Sequence, residues 1–375
     1  MNYKIPLFDL NFGDEEKFAI IKTLESKWIS MGENVSLAER KFSSMLSVTE
    51  AVAVSSCTAA LHLALKVLNI QNGDEVIVPS LTFVATVNAV KYVSATPVFA
   101  DITSLNNFSI NPQDIEKKIT KRTKAIIVMH YGGFSCDMDE IMKLSKRYNL
   151  YVIEDSAHAP LAEYKGRKLG TIGDIGCFSF FSNKNITCAE GGMIISNNSE
   201  LTKKAKLLRA HGMTSLSYDR AKGHSTEYDV LELGYNYRLD DIRGSLLLTQ
   251  LDKLNEDIIK RQELRELYIK GLNKLDGIII PYKDSPYTSS NYIFPILLKN
   301  GNISKRNEFR QKLVNLGIQT SIHYPAVHKF SIYDNSKITL PKTEYVSDNE
   351  ITLPLFPKLT EQQINEVISA IKQII

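Results

Sequence analysis

The sequence is poor in cysteine, and it has neither a long apolar run nor a strong excess of charge. Its four cysteines, Cys57, Cys136, Cys177 and Cys188, form no C-x-x-C pair. So few cysteines in a chain of 375 residues favour reduced thiols over a disulfide framework. No apolar run approaches the roughly 20 residues that a membrane helix needs, and the N-terminus lacks the apolar core of a signal peptide. We therefore expect a cytoplasmic protein.

The charge balance and the missing motifs argue against several function classes. The net charge of +3 is small, so it predicts binding to neither nucleic acid nor a membrane surface. The sequence has no Walker A motif, no His-Glu-x-x-His motif and no paired C-x-x-C, and we expect no metal site. Gly170, Gly173 and Gly176 lack the Rossmann spacing and the helix that should follow it.

Seven short apolar runs predict the strands of an α/β protein. They lie at about 51–54, 75–78, 96–99, 123–129, 151–154, 176–180 and 193–196. Helical stretches separate the first five, which is typical of a mostly parallel sheet with helices on both faces. A polar run over 215–227 predicts a surface loop. After Gly277 the pattern changes and indicates a smaller α+β domain.

A single lysine lies between the last two predicted strands. The stretch 177–192 begins with the alternating Phe178 and Phe180 of a buried strand, breaks into polar residues around Lys184, and ends in Gly191-Gly192. A lysine on a tight loop between core strands is partly desolvated. Desolvation lowers the pKa of an amine and makes it a usable nucleophile. A solvated loop lysine is the alternative that this stretch alone leaves open.

A second stretch favours the nucleophilic lysine. The apolar run at 151–153 ends in two acids, Glu154 and Asp155. In a parallel sheet the carboxyl ends of the strands carry the ligands, and an acid there can hold a proton on a ring nitrogen. A lysine that forms a Schiff base, together with an acid that pairs with a pyridinium nitrogen, is the combination that binds pyridoxal phosphate (PLP). Lys184 and Asp155 therefore predict PLP as the cofactor.

Five motifs lie around these two residues. They are Glu-Asp-Ser-Ala-His-Ala at 154–159, Tyr-Lys-Gly at 164–166, Gly-Asp at 173–174, Phe-Ser-Phe at 178–180 and Asn-Lys-Asn-Ile-Thr-Cys-Ala-Glu-Gly-Gly at 183–192. Together they resemble the DegT/DnrJ/EryC1/StrS family, and the resemblance covers nearly the whole chain. It implies a PLP-dependent nucleotide-sugar aminotransferase of fold type I. The implied domains are a large PLP-binding domain over 1–250, with a seven-stranded mostly parallel sheet, and a small C-terminal α+β domain over 251–375, on which the N-terminal segment can pack.

The resemblance implies roles for residues around PLP and its amino form, PMP. Lys184 would hold PLP as a Schiff base and carry a proton, and Asp155 would keep the ring nitrogen protonated. Phe83 would stack on the ring, and His158 would lie near the ring oxygen. The phosphate would bind at a helix start, where free amides and the helix dipole attract anions. Four residues are implied as its contacts: Thr58, Ala59, Ser179 and Asn236.

The resemblance also implies a sugar site and an amino donor. The candidates for the sugar site are Ser30, Arg238, His323 and Tyr324. The donor would be an amino acid, L-glutamate, and the acceptor a keto nucleotide sugar. The run at 185–192 and the pair His323-Tyr324 resemble members that aminate C4. This favours a 4-keto-6-deoxy hexose in amino-deoxysugar biosynthesis for a cell-surface polysaccharide such as the O-antigen of lipopolysaccharide.

The family pattern places the segment with Asn236 across a two-fold axis, so the resemblance implies a homodimer whose two chains share each site. Three alternatives stay open: a 3-keto sugar aminotransferase, a PLP-dependent sugar dehydratase and a non-catalytic PLP-binding regulator. In the dehydratases of the family, histidine replaces the lysine, so Lys184 argues against that alternative. A regulator would need a partner-binding segment, and the sequence has no extra domain to supply one.

Overall fold

The computed structural model of the chain describes residues 3–214, 227–333 and 337–375. Most of the polar run for which the sequence predicts a surface loop, residues 215–226, lies outside these described residues. Within them, no helix is both long enough and apolar enough to cross a membrane.

A seven-stranded mixed sheet forms the centre of the fold. Its strands, in chain order, are β1 (Glu50–Val54), β2 (Glu75–Pro79), β3 (Thr96–Ala100), β4 (Thr123–Met129), β5 (Tyr151–Asp155), β6 (Ile175–Ser179) and β7 (Gly192–Ser196). The order across the sheet is β1-β7-β6-β5-β4-β2-β3, and only β7 runs antiparallel to its neighbours. Each predicted strand is confirmed to within one residue, and so is the mostly parallel α/β fold class.

Helices cover both faces of this sheet. They are α1 (Asp14–Glu25), α2 (Glu33–Leu46), α3 (Cys57–Val67), α4 (Val84–Tyr92), α5 (Pro112–Lys118), α6 (Met138–Tyr148), α7 (Ser199–Leu208) and the first half of α8 (Asp241–Leu272). Two short antiparallel ribbons, Ile102–Ser104 with Asn107–Ile110 and Glu163–Tyr164 with Arg167–Lys168, lie outside the sheet. The parallel strands all end at one edge, and the loops that follow β1, β5 and β6 meet there.

A smaller antiparallel sheet follows in the C-terminal part. It consists of β8 (Ile278–Ile279), β9 (Phe294–Leu298) and β10 (Glu350–Leu353), in the order β8-β9-β10. It packs with α9 (Ile303–Asn315), α11 (Glu361–Ile374) and the second half of α8, and α10 (Pro341–Asn349) leads into β10. Ile5 is fully buried in this second core and pairs with Ile318, so the N-terminal segment packs on this part of the chain.

Helix α8 contributes to both cores. Leu247 and Leu251 pack behind the large sheet with Phe178, whereas Leu264 and Tyr268 pack with the small sheet. The helix crosses residue 250 without a break. The division into 1–250 and 251–375 stays a prediction, and its boundary falls inside a shared helix.

Candidate active site

The loop between β6 and β7 carries Lys184 and is held by hydrogen bonds at several points. Phe180 N–H donates to the Gly191 carbonyl (2.9 Å), so the two ends of the loop stay paired. Asn185, next to the lysine, is buried and donates through Nδ2 to the Ser290 carbonyl (2.7 Å). These contacts fix the backbone on which the lysine is carried, as its place between two core strands predicts.

Close backbone packing brings helix α3 against this loop. A Cβ at Gly192 would lie 2.4 Å from the Ser56 carbonyl carbon, so only glycine permits this approach. Ser56 caps α3 by accepting a hydrogen bond from Ala59 N–H through Oγ (3.1 Å). The amides at the start of a helix have no partner within the helix and attract anions. The N-terminus of α3, with Thr58 in its first turn, therefore lies beside the lysine loop.

The amine of Lys184 lies against an aromatic ring in the cavity. Its side chain is half-buried, and Nζ lies 4.4 Å from the centroid of the Tyr292 ring. Desolvation lowers the pKa of Lys184 to about 8, and the charge of Asp155 opposes part of that shift. Because the neutral amine is the nucleophilic form, this lowered pKa favours attack of Lys184 on a carbonyl near neutral pH.

This shift gives a pH prediction for the uptake of PLP by the apoenzyme. At pH 8 about half of Lys184 is neutral if its pKa is about 8, whereas an ordinary lysine would be about 0.4% neutral. Below pH 8 the rate of covalent PLP capture should rise about tenfold per pH unit, and above about pH 9 it should level off. Stopped-flow absorbance checks this profile. A rate that keeps rising tenfold per unit to pH 10 would show an unperturbed lysine.

Asp155 ends strand β5 and is buried in the floor of the cavity. Its Oδ2 accepts a hydrogen bond from Thr86 Oγ1 (2.7 Å), and its Oδ1 accepts one from Ala157 N–H (3.2 Å). Burial raises the pKa of Asp155, whereas these two hydrogen bonds and the nearby Lys184 lower it. Within the described residues no ion pair reaches this carboxylate at contact distance. It is therefore a buried acceptor suited to a positively charged ligand atom.

A histidine and a tyrosine form one hydrogen-bonded pair in the wall. His158 is buried, its Nδ1 accepts from Gly132 N–H (3.3 Å), and its Nε2 lies 3.0 Å from Tyr324 Oη. Since Nδ1 accepts, neutral His158 carries its proton on Nε2 and donates to the tyrosine. Desolvation lowers the pKa of His158 well below its usual range, so the ring stays neutral. The pair leaves the Tyr324 hydroxyl hydrogen for a ligand.

These side chains line one cavity of about 350 Å³ at the carboxyl edge of the large sheet. This volume lies within the range of about 300–1,000 Å³ that is usual for small-molecule sites. Eight predicted site residues line it: Thr58, Phe83, Asp155, His158, Ser179, Lys184, His323 and Tyr324. The fold therefore brings together residues that are more than 250 positions apart in the sequence.

Four predicted site residues do not line this cavity. Ala59 is buried in α3, and its N–H is already bonded to the Ser56 cap. Ser30 is exposed in the bend before α2. Asn236 is also exposed, and its Oδ1 accepts a hydrogen bond from Arg238 Nε (3.1 Å). Their roles toward the phosphate and the sugar stay predictions, and Asn236 and Arg238 would have to act on another chain's cavity.

Thr86 and Tyr292 contact predicted site residues but are absent from the sequence-based prediction. Thr86 is the middle of a hydrogen-bonded chain to Asp155, since it donates to Asp155 and its Oγ1 lies 2.8 Å from Thr82 Oγ1. The spacing of four residues between two buried threonines at a helix start is the signal that could have found it. Tyr292, under the lysine amine, precedes a strand of the second core. Nothing local distinguishes it from a core aromatic.

The groups of the cavity fit PLP. A desolvated lysine, a buried carboxylate without a counter-ion, and a helix N-terminus with Thr58 and Ser179 match an aldehyde, a pyridinium nitrogen and a phosphate. The exposed ring of Phe83 lies on the same wall, 6.0 Å from the Tyr324 ring. In the described ranges no group of three or more His, Cys, Asp or Glu side chains could hold a metal ion.

Comparison with known proteins agrees with this fit. The chain is 35% identical, over 100% of its length and 96% of the relative, to the spore coat polysaccharide biosynthesis protein SpsC of Bacillus subtilis. Spr1654 of Streptococcus pneumoniae, a sugar aminotransferase solved in PLP and PMP forms, matches with a TM-score of 0.92 and 31% identity over 99% of this chain and 98% of that one. Helicobacter pylori PseC, an aminotransferase in the biosynthesis of pseudoaminic acid, matches with a TM-score of 0.92 and 30% identity over the same shares.

The model of one protein family covers nearly the entire chain. The DegT/DnrJ/EryC1/StrS aminotransferase family model matches residues 11–372. The match includes the lysine loop, the carboxylate of β5 and the C-terminal sheet, and the solved relatives share the fold of PLP enzymes of fold type I. The chain belongs to the DegT/DnrJ/EryC1/StrS aminotransferase family, which includes PLP-dependent sugar aminotransferases.

Proposed function

We propose that this protein moves an amino group from an amino acid, L-glutamate, to a keto nucleotide sugar. The observation that carries the proposal is a cavity lined by a lysine with a lowered pKa and by a buried carboxylate that forms no ion pair within the described residues. A non-catalytic regulator does not need a lysine whose pKa lies close to neutral pH. A dehydratase of this family has histidine in place of that lysine.

The positions of four cavity residues support a role for each of them. Bound PLP supplies an electron sink for the charge left on the substrate carbon when its proton is removed. Lys184, about half of which is neutral at pH 8, would take that proton and return it to the neighbouring carbon as general base and then acid. Asp155 would hold the proton of the ring nitrogen through its buried carboxylate. Thr58 and Ser179 would anchor the phosphate at the start of α3.

For the acceptor, we propose a 4-keto-6-deoxy hexose linked to a nucleotide. The run at 185–192 and the pair His323-Tyr324, which lines the cavity, resemble those of family members that aminate C4, and this resemblance supports C4 over C3. The names of SpsC and PseC support biosynthesis of a surface polysaccharide or its amino sugars, for example an O-antigen. Four free cysteines support a reducing, cytoplasmic setting.

The donor half-reaction tests this function without knowledge of the sugar. Adding L-glutamate to the yellow holoenzyme should bleach the cofactor absorbance and release 2-oxoglutarate in a 1:1 ratio to the sites. A panel of 4-keto and 3-keto nucleotide sugars should then restore the colour, and the 4-keto compounds should restore it faster. No bleaching with any amino acid would favour the regulator, and restoration by 3-keto sugars alone would favour the alternative aminotransferase.

We further propose a homodimer in which each cavity is completed by the other chain. Asn236 and Arg238 do not line the cavity of their own chain, although the family resemblance assigns them to a site. Apolar side chains are exposed close to Asn236 in the sequence, and Leu233 is 87% exposed. At the cavity mouth, Phe181 is 43% exposed. A two-fold contact would bury such groups and bring Asn236 to the partner's phosphate site.

Subunit complementation gives a prediction for this shared site. Lys184→Ala removes the nucleophile, and Asn236→Asp sets a carboxylate against the phosphate, so each homodimer should be nearly inactive. In a mixed dimer one site receives both changes and the other receives neither. Mixing the variants under subunit exchange should restore up to about half of the native activity per heterodimer. If heterodimers form and no activity returns, Asn236 acts in its own chain or in no site.

A further inference from the structure

A buried carboxylate lies behind the wall of the cavity and has no role in the reaction described above. Glu350, at the start of β10, is fully buried, and its Oε2 accepts a hydrogen bond from the backbone N–H of His323 (2.7 Å). Its Oε1 accepts one from Thr352 Oγ1 (2.5 Å). No salt bridge reaches Glu350 within the described residues. A buried acid without a counter-ion is costly, and such costs are typical of functional sites.

The same threonine connects Glu350 to a side chain of the cavity. Thr352 Oγ1 lies 2.8 Å from His323 Nδ1, and His323 lines the cavity whereas Thr352 does not. Tyr131 Oη donates to the His323 carbonyl, so the histidine is held at its N–H, its carbonyl and its Nδ1. The hydrogen bonds of the described residues leave Nε2 of the ring without a partner. That nitrogen is the one available to a ligand.

We propose that Glu350 is a positioning residue that acts through Thr352 to set which ring nitrogen of His323 carries the proton, and thereby whether the cavity wall offers a donor or an acceptor. A hydroxyl has one hydrogen to donate. When Glu350 is a carboxylate, Thr352 must donate to it and can only accept from His323 Nδ1–H. His323 Nε2 is then a bare acceptor toward the ligand.

The opposite state follows when Glu350 takes up a proton on Oε1. The carboxylic acid donates to Thr352 Oγ1, the hydroxyl rotates and donates to His323 Nδ1, and the ring exchanges its Nδ1 proton with solvent for one on Nε2. One proton is taken up in total, and His323 stays neutral in both states. Desolvation and, to a smaller extent, the charge of the nearby Lys184 lower the pKa of His323 to about 3. The chain from Glu350 through Thr352 to His323, here called the relay, therefore changes His323 Nε2 from acceptor to donor without adding a charge to the cavity wall.

The groups around Glu350 determine the pH at which it changes between these two protonation states. Burial raises the pKa of Glu350 to about 8, and the hydrogen bonds from Thr352 and His323 oppose the shift. The charged groups that face it are Arg306 and Arg310 of α9, which also lower its pKa. Both arginines are engaged elsewhere, with the Ser347 carbonyl and with Thr320. The phenols of Tyr131 and Tyr324 face the same carboxylate and stay neutral because burial raises their pKa values.

The consequence for the substrate rests on the proposed function. A sugar hydroxyl that donates to the wall fits the carboxylate state, and a sugar oxygen that can only accept fits the acid state. A mismatch in a buried hydrogen bond lowers affinity by about 5- to 150-fold, enough to select one arrangement of hydroxyls. The relay itself does not depend on which sugar is bound.

Nitrogen NMR of the PLP-bound holoenzyme, labelled with ¹⁵N-histidine, tests the relay directly. His323→Gln identifies the His323 signals by their loss. In the native protein the protonated nitrogen should be Nε2 at pH 6.5 and Nδ1 at pH 9.5, with a midpoint near 8. Glu350→Gln can satisfy the His323 N–H and Thr352 only with its amide donating to Thr352, so it should keep the proton on Nε2 throughout this range.

Two further variants distinguish positioning from a general structural effect. Glu344→Gln changes another carboxylate that touches a histidine, His328, outside the cavity, and it should leave the His323 signals unchanged. Thr352→Val keeps the shape but removes the hydroxyl, so the His323 tautomer should no longer follow pH even if Glu350→Gln fails to fold. Identical His323 tautomers in the native protein and in both Glu350→Gln and Thr352→Val across the pH range would overturn the proposal. A relay that works in a protein that transfers no amino group would overturn the proposed function instead.

Discussion

Replacing Lys184 with alanine should reduce turnover by about four orders of magnitude or more, because the change removes both the nucleophile and the proton carrier. PLP should still bind, since Asp155, Thr58, Ser179 and the start of α3 are untouched. Borohydride treatment followed by mass spectrometry separates the two effects. It should fix the cofactor on the native chain at Lys184 and leave the variant unmodified, although both retain PLP through gel filtration under mild conditions.

A matched lysine shows that the loss is local. Lys203 is exposed on α7 and pairs with Glu200 on the helix surface (2.8 Å), a contact of little energetic value. Lys203→Ala should keep turnover within about twofold of the native value. Substantial turnover in Lys184→Ala would remove the assignment of Lys184 as base and as the attachment point together, and the pH profile for PLP capture would then need another amine.

The sequence predicts the sheet well because each buried strand is a short continuous run of apolar residues. Lys184, Asp155 and His158 are also predictable, since each lies directly after such a run or inside a motif of the family. These features are local in sequence. A loop between core strands and the carboxyl end of a parallel strand are positions where polar residues meet a ligand.

The remaining residues of the site depend on contacts between distant parts of the chain. Thr86 has the pattern of a helix start, and only the folded chain shows that its hydroxyl donates to Asp155. Glu350 lies in a short strand, and its role depends on the position of His323, which is brought alongside by the pairing of Ser321 with Thr352. In the proposed homodimer, the role of Asn236 would depend on a second chain. Periodicity and motifs carry no information about such pairings.

The loop that carries Gly170 and Gly173, which lack the Rossmann spacing, has a structural role. Gly170 and Gly173 donate their backbone N–H groups to the buried carboxylate of Glu154 (2.7 and 2.6 Å), and Ile172 donates a third (2.7 Å). His130 adds a fourth contact at 2.9 Å. Desolvation opposes protonation of His130, but hydrogen bonds with Cys136 and Glu154 raise its pKa to about 10. Glu154 therefore holds this loop in place. Its neighbour Asp155 lines the cavity instead and can contact a ligand.

Asp155→Asn should lower kcat by at least about two orders of magnitude, the scale of losing a strong electrostatic partner. The amide keeps the volume of the carboxylate, but it carries no charge to hold the proton on the ring nitrogen. Thr86 and Ala157 continue to donate to this position, so the amide NH₂ has to turn away from one of them. Steady-state kinetics with saturating PLP measures the loss and excludes weaker cofactor binding as its cause.

The control for this change is Asp137→Asn at the N-cap of α6. Asn and Asp cap helices about equally well, so kcat should not change. A near-normal kcat in Asp155→Asn would mean that the ring nitrogen has another partner. Glu154 is already bonded to three amides and a histidine and does not line the cavity. Glu190 is the other carboxylate among the lining residues, so Glu190→Gln would then have to show the loss that Asp155→Asn did not.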